Sequence, residues 1–321
     1  MNKNSKIYIA GHTGLVGSAV LRLLQSSGYE NIITQTHTEL DLTNQFDVNK
    51  FFEYVQPEYV FLSAGKVGGI AANSNSPAEF IYDNVMIGFN VIHASFKFKV
   101  KKLINLGSSC IYPRNAPQPM KEEYLLSDYL EPTNDAYAIA KINVIKLCTY
   151  YNKQYGTNFL SVMPTNLYGP GDNYDLYGSH VLPALIRKFH EAKISGEDRV
   201  ILWGDGSPRR EFLYSGDLAQ ALIMLMQNNN AADLSNSAGD FINIGFGKDL
   251  TIKELANIVL SVVYSDMPFK KCNIEWDIKK PNGTPQKLLD ISRISAFGFT
   301  PKIDLKEGIK LSYENFINNY N

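Results

Sequence analysis

The sequence predicts an α/β fold: a doubly wound parallel sheet with a smaller C-terminal α/β lobe. Two observations predict the sheet. A strand, a glycine turn and a helix follow one another directly at residues 6–25, and strand-type and helix-type segments then alternate through short links as far as residue 108. A third observation predicts the lobe, because beyond Gly171 the loops lengthen and the helices become isolated. The boundary falls near Pro170, giving units of 1–170 and 171–321, with some later segments returning to the first.

Lys6–Ala10 is a strand of buried type. Gly11-His12-Thr13-Gly14-Leu15-Val16-Gly17 follows it and opens an amphipathic segment, Ser18–Gln25. That order suits a pyrophosphate, since glycines let backbone N–H groups approach it and the helix N-terminus faces its charge. The second strand is expected at Asn31–Gln35. An acid at its end would hold a ribose 2′-hydroxyl and a basic residue a 2′-phosphate. Thr36, His37, Glu39 and Asp41 give neither pattern cleanly; Asp41 is expected toward the adenine and His37 as a weak phosphate contact.

Asp47–Tyr54 reads as a helix, Tyr59–Ala64 as a strand and Gly65–Gly69 as a loop on the nucleotide side. Asn84–Phe98 has helical spacing with Asn84 near its start, and Lys102–Leu106 is a short strand that ends at Gly107. A helix is expected from the Pro132–Asp135 start signal through Tyr155, a strand at Phe159–Met163 and a turn-rich loop at Pro164–Gly171. In the second unit a helix opens at Ser179-His180 and runs through Phe189, and Val200–Trp203 is a strand. Gly204–Arg210 is a loop ending in paired arginines, Phe241–Ile244 a strand, Leu250–Val263 a helix and Lys279–Gln286 a polar loop.

The 321 residues can bury a full core. With 31 basic and 32 acidic residues the net charge is −1, which implies no nucleic-acid and no membrane-surface partner. Cys110, Cys148 and Cys272 are an odd number without close spacing. A disulfide framework or zinc site is therefore not expected, and a reduced, cytoplasmic setting is. Neither a signal peptide nor a spanning helix is expected.

The stretch from Asn105 to Lys141 carries the chemistry. Ser108, Ser109 and Cys110 fall where a buried strand opens into a loop, and open α/β sheets bind ligands at such strand ends. Tyr137 and Lys141 lie four residues apart on one helical face. Of the nineteen tyrosines only Tyr137 has a lysine at that spacing. A tyrosine titrates near pKa ~10, and a neighbouring ammonium favours the phenolate, so the pair suits acid catalysis near neutral pH.

With those residues laid out, the chain resembles the extended short-chain dehydrogenase/reductases, and within them the GDP-L-fucose synthase family, from Ile7 to about Tyr313. The marks are Gly-Ser-Ser-Cys-Ile-Tyr-Pro at Gly107, Tyr-Ala-Ile-Ala-Lys at Tyr137, Met-Pro-Thr-Asn-Leu-Tyr-Gly-Pro at Met163, Ser-His-Val-Leu-Pro-Ala-Leu at Ser179 and Arg-Arg-Glu-Phe-Leu at Arg209. The resemblance implies a Rossmann domain at 1–170, a mainly substrate-binding lobe at 171–321 and a homodimer through the Asn84 and Tyr137 helices. It implies a GDP-4-keto-6-deoxy-hexose that is epimerised at C3 and C5 and then reduced at C4 with NADP(H). Tyr137 would protonate the C4 oxygen, Ser108 hydrogen-bond it, and Lys141 lower the tyrosine pKa while holding the nicotinamide ribose. Cys110 and His180 would be the acid and base of the epimerisation, both able to titrate near neutral pH. Gly11, Thr13, Gly14, Leu15, Val16, Gly17, His37, Asp41, Leu106, Gly107, Lys141, Pro164, Thr165, Asn166, Leu167 and His180 would line the cofactor, and Lys188, Trp203, Arg210 and Asn282 the substrate.

Four positions depart from the family pattern. Thr13 and His37 stand where the family has arginines toward the 2′-phosphate, which leaves NAD(H) open beside NADP(H). Lys188 replaces an arginine and loses its bidentate fork, and Asn282 replaces an aspartate. The last two motivate a second reading, a GDP-4-keto-6-deoxy-heptose 4-reductase with reduced or no epimerase activity. A third, a non-catalytic dinucleotide-sensing module, has no need of Tyr137 and Lys141 on one face.

Overall fold

A computed structural model describes residues 1–176, 178–267, 272–280 and 282–319, apart from the Ile70 side chain. The strands are β1 Ile7–Ala10, β2 Ile32–Ile33, β3 Tyr59–Leu62, β4 Lys102–Leu106, β5 Phe159–Pro164, β6 Asn166–Tyr168 and β7 Arg199–Trp203. They continue with β8 Arg209–Tyr214, β9 Ser235–Asn236, β10 Gly239–Ile244, β11 Asp249–Thr251, β12 Asn273–Asp277 and β13 Gln286–Lys287. The helices are α1 Leu15–Ser26, α2 Gln45–Val55, α3 Ile70–Asn75, α4 Pro77–Lys97, α5 Asp135–Tyr155 and α6 Val181–Ser195. After them come α7 Ser215–Asn228, α8 Ala231–Leu234, α9 Ile252–Val263, α10 Ser292–Ala296 and α11 Leu305–Asn319.

The main sheet has seven strands in the order β2-β1-β3-β4-β5-β10-β9, parallel except for β9. Because side chains alternate along a strand, β1 sends Ile7 and Ile9 into one core with α1 and α7, and Tyr8 and Ala10 into another with α2, α4 and α5. Both faces are covered, as a parallel sheet requires. The chain leaves β1 for β2 on one side and returns to β3 on the other, so a crevice opens at the carboxyl ends of β1 and β3.

Beyond β5 a smaller sheet pairs β8 with β6, β11 and β13, and β7 pairs with β12. These strands pack with α6, α9 and α11 around Leu185, Phe189, Phe212, Val259 and Phe316. Glu211 ties the two parts together: fully buried, it accepts from the backbone N–H of Gly247 at 2.6 Å and of Leu289 at 3.1 Å.

Several sequence expectations are corrected. The β2 strand is two residues long, because Thr36 turns the chain by donating N–H and Oγ1 to Glu39. The α4 helix starts at Pro77, a favoured first position, which puts Asn84 in its middle. The turn-rich loop after β5 contains β6, and the paired arginines open β8 instead of ending a loop. Both strands open on polar residues, Asn166 and Arg209-Arg210, which masks the strand in sequence until pairing in the small sheet fixes it. The α6 helix continues past Phe189 to Ser195, where Gly196 (φ 82°) ends it. Leu250 lies in β11, and Thr251 caps α9 in a capping box with Glu254.

Candidate active site

The glycine turn is built for close approach. Gly11 has φ 84°, and a Cβ there would meet the Ala64 backbone nitrogen at 2.6 Å, so β1 turns beneath β3 only with glycine. A Cβ on Gly17 would lie 2.1 Å from the Gly11 carbonyl oxygen, which brings α1 directly onto the turn. Gly14 precedes α1 without a side-chain cap, and no acid lies in its first turn. The uncapped N–H groups at the switch point fit a pyrophosphate. Toward the adenosine end, Thr13 is exposed, and exposed His37 faces Asp41 with its Nδ1 3.9 Å from Oδ1.

Ser108 stands one turn past β4. Its Oγ accepts from Cys110 N at 3.2 Å, starting a 3₁₀ turn at Ser109–Ile111, and it hydrogen-bonds the Tyr137 phenol. Phe80 packs edge-on to Tyr137, with ring centres 6.4 Å apart. Lys141 is buried, its Nζ donating to Leu106 O at 3.1 Å and lying 5.7 Å from the Tyr137 ring centre. The expected tuning of the phenol is not seen. Burial pushes the Tyr137 pKa up, with the nearby Cys110 adding to the rise and the Ser108 hydrogen bond opposing it. Burial also depresses Lys141 to about 8, so it still carries its charge at pH 7, and that charge is directed at the Leu106 carbonyl.

Cys110 is surrounded by donors. Its Sγ accepts from Asn134 Nδ2 at 3.3 Å, Lys287 Nζ lies 3.9 Å away, and the Arg210 guanidinium feels the sulfur electrostatically. His180 stands at the cap position before α6 and is exposed. Packing around its ring and then the Lys287 charge both lower its pKa, which favours neutral imidazole. Lys287 thus faces both groups of the expected acid–base pair. It reaches them because β13 runs beside β8, with Lys287 opposite Arg210. Sequence spacing contains no signal for Lys287 or for the Asn134 contact; the strand pairing creates the first and the loop before α5 the second.

The remaining expected residues divide. Thr165 and Asn166 use their side chains on the Glu211 carbonyl, at 3.3 and 2.8 Å, and so hold the β5–β6 corner beside the cleft. Arg210 donates to its neighbour's carbonyl at 2.8 Å, and burial lowers its pKa. Lys188 donates to Ile201 O at 3.2 Å and borders a groove of about 710 Å³ together with Ser195, Arg199 and Ile201. Trp203 is exposed at the end of β7, with Lys280 Nζ 5.2 Å from its ring centre. Asn282 Oδ1 accepts from Asp205 N at 2.9 Å and props the loop that follows Trp203.

A glycine turn at the switch point and a Ser–Tyr–Lys group at the end of β4 define an enzyme of the short-chain dehydrogenase/reductase class. The chain belongs to the NAD dependent epimerase/dehydratase family, which residues 7–245 match. It is 50% identical over 318 residues to GDP-L-fucose synthase 1 of Arabidopsis thaliana, covering 99% of this chain and 95% of that protein. A GDP-6-OMe-4-keto-L-xylo-heptose reductase from Campylobacter jejuni superposes with a TM-score of 0.93 at 42% identity, covering 100% of this chain and 99% of the other. A GDP-mannoheptose C4 reductase from the same organism, with NADP bound, gives 0.89 at 43% identity with 99% of each chain covered.

Proposed function

We propose that this protein epimerises a GDP-4-keto-6-deoxy-hexose at C3 and C5 and then reduces its C4 ketone with NADP(H). The observation that carries the reading is the convergence of Cys110 and His180 on Lys287, a few residues from Ser108 and Tyr137 on one rim of the cleft. A ketone at C4 acidifies the hydrogens on C3 and C5. A base removes one as a proton, the C–H electron pair moves into an enolate, and an acid returns a proton from the opposite ring face. Cys110 and His180 supply these two groups. Bound NADPH supplies the hydride for C4. Tyr137 then gives its phenolic proton to the C4 oxygen, and its raised pKa keeps that proton in place until the oxygen takes on charge. Ser108 hydrogen-bonds the same oxygen, and Lys141 holds the nicotinamide ribose. Arg210, Lys188 and Trp203 border the diphosphate and nucleoside.

A second reading, a GDP-4-keto-heptose 4-reductase with little epimerisation, is favoured by one observation: Lys188 and Asn282 both spend their polar groups on backbone at the sugar–nucleotide end. Both readings share a cytoplasmic, two-lobed enzyme. The dimer we propose buries the outer face of α4 and α5, where Tyr82, Phe89, Ile139 and Tyr150 are exposed. Incubating the GDP-4-keto-sugars in deuterated water without cofactor tests the choice. Deuterium at C3 and C5 is the expected result; unlabelled sugar followed by NADPH oxidation on the heptose would replace it with the second reading.

A further inference from the structure

Asn134 breaks a local rule. It occupies the position before α5 where asparagine is favoured because its side chain accepts from the first-turn N–H groups, yet it makes no such cap. Its Nδ2 points at Cys110 Sγ instead, at 3.3 Å, and its Oδ1 is buried with no partner. An asparagine that forgoes a cap worth about 1 kcal/mol and leaves an acceptor unsatisfied is held there by other contacts. Those contacts centre on Glu131, whose carboxylate takes Thr133 Oγ1 at 3.2 Å, Thr284 Oγ1 at 3.3 Å and Arg114 Nε at 3.4 Å, while its backbone oxygen accepts from Asn134 N at 3.1 Å.

Resting on the epimerase reading above, we propose that Asn134 is a positioning residue for proton abstraction, holding the Cys110 sulfur as an acceptor aimed into the cleft. An amide N–H₂ and an ammonium can only donate, so both contacts are made to sulfur lone pairs, and neither partner accepts a thiol proton. The other groups facing it are the Tyr137 phenol on α5 and the Arg210 guanidinium on β8. Among the described residues the side-chain hydrogen bonds to the Cys110 sulfur come from donors, and none is to a carboxylate. The donor set therefore assigns the sulfur to the base and leaves the acid to the opposite ring face.

The test uses Asn134→Ala and Asn134→Asp in the full chain. Aspartate caps a helix as well as asparagine, so a purely structural role predicts that Asp restores whatever Ala loses. A donor role predicts the reverse, because a carboxylate cannot donate to sulfur. Iodoacetamide labelling of Cys110 at pH 7, read by mass spectrometry with buried Cys148 and Cys272 as internal controls, is expected to slow about tenfold in Ala and at least as much in Asp. Deuterium wash-in at C3 and C5 is expected to fall by a similar factor in both, with the NADPH dissociation constant changed less than threefold. Rescue of either readout by Asp overturns the proposal. The labelling needs no substrate, so a wild-type protein that shows the labelling pattern but no wash-in overturns the epimerase reading and leaves the contact standing.

Discussion

The ammonium of Lys141 donates to the carbonyl of Leu106 at 3.1 Å, so the cation one helical turn from Tyr137 is anchored to the strand end and not to the phenol. Burial depresses it to about 8, below the ~10.4 of an unfolded lysine. Between those values the unfolded chain binds the proton more tightly, and stability rises with pH. Below about 8 the folded protein carries the full penalty. It amounts to about 3 kcal/mol at most, offset by roughly 1 kcal/mol for the hydrogen bond to Leu106. Lys141→Met is therefore expected to melt several degrees higher at pH 7 while losing turnover. The difference should shrink as the pH rises from about 8 toward 10.5; a thermal midpoint for Lys141→Met below that of the wild type at pH 7 would contradict this.

Tyr137→Phe keeps the ring that packs on Phe80 and removes the proton donor. Reduction of the C4 ketone is expected to fall by about 10²–10⁴. Single-turnover NADPH oxidation measures it, and fluorescence titration should find NADPH affinity within threefold of wild type. Equal losses in affinity and rate would place Tyr137 in binding only.

Gly17→Ala separates helix propensity from packing. Alanine favours a helix by about 1 kcal/mol over glycine, yet its Cβ would lie 2.1 Å from the Gly11 carbonyl oxygen. The turn must move, at a cost of about 1–3 kcal/mol. A lower melting temperature and at least tenfold weaker NADPH binding are expected, and calorimetry reads both.

The alternation of residues along β1, the glycine turn and the Tyr137–Lys141 spacing were legible because each is a local pattern with one physical reading. The β8 strand was not. Arg209 and Arg210 open it with charged side chains, and only pairing to β6, β11 and β13 makes it a strand. Asn134 announced a helix start, and Lys287, one residue past the polar loop expected at Lys279–Gln286, carried no signal; their convergence on Cys110 depends on strand register and on the Glu131 network, which one-dimensional spacing does not encode. The direction of the Tyr137 shift is hidden for a related reason, since sequence reveals the neighbouring cation but not how deeply both groups are buried.

The outer face of α4 and α5 is expected to be the contact between two copies. Ile139 and Phe89 are exposed there without polar function. Ile139→Asp combined with Phe89→Asp should sediment as a monomer at micromolar concentration with unchanged far-ultraviolet circular dichroism. A dimer of normal stability in this variant would move the contact elsewhere.

His180 provides the pH test. Packing around the imidazole and the positive charge of Lys287 both disfavour protonation, so the ring should stay neutral to a lower pH than an ordinary histidine. Only five histidines are present, and the His180 Cε1 resonance is assignable by comparison with His180→Asn. In wild type its titration midpoint should fall below ~6.5. Lys287→Met removes the cation but leaves the packing, so the midpoint should move up without reaching the ordinary value. Solvent-deuterium incorporation should shift with it, its basic limb moving toward neutral pH in the variant, because only the protonated imidazole can return a proton to the ring. A midpoint unmoved by Lys287→Met would mean that the lysine acts on Cys110 alone, and the basic limb would then have to be set by some other group in the cleft.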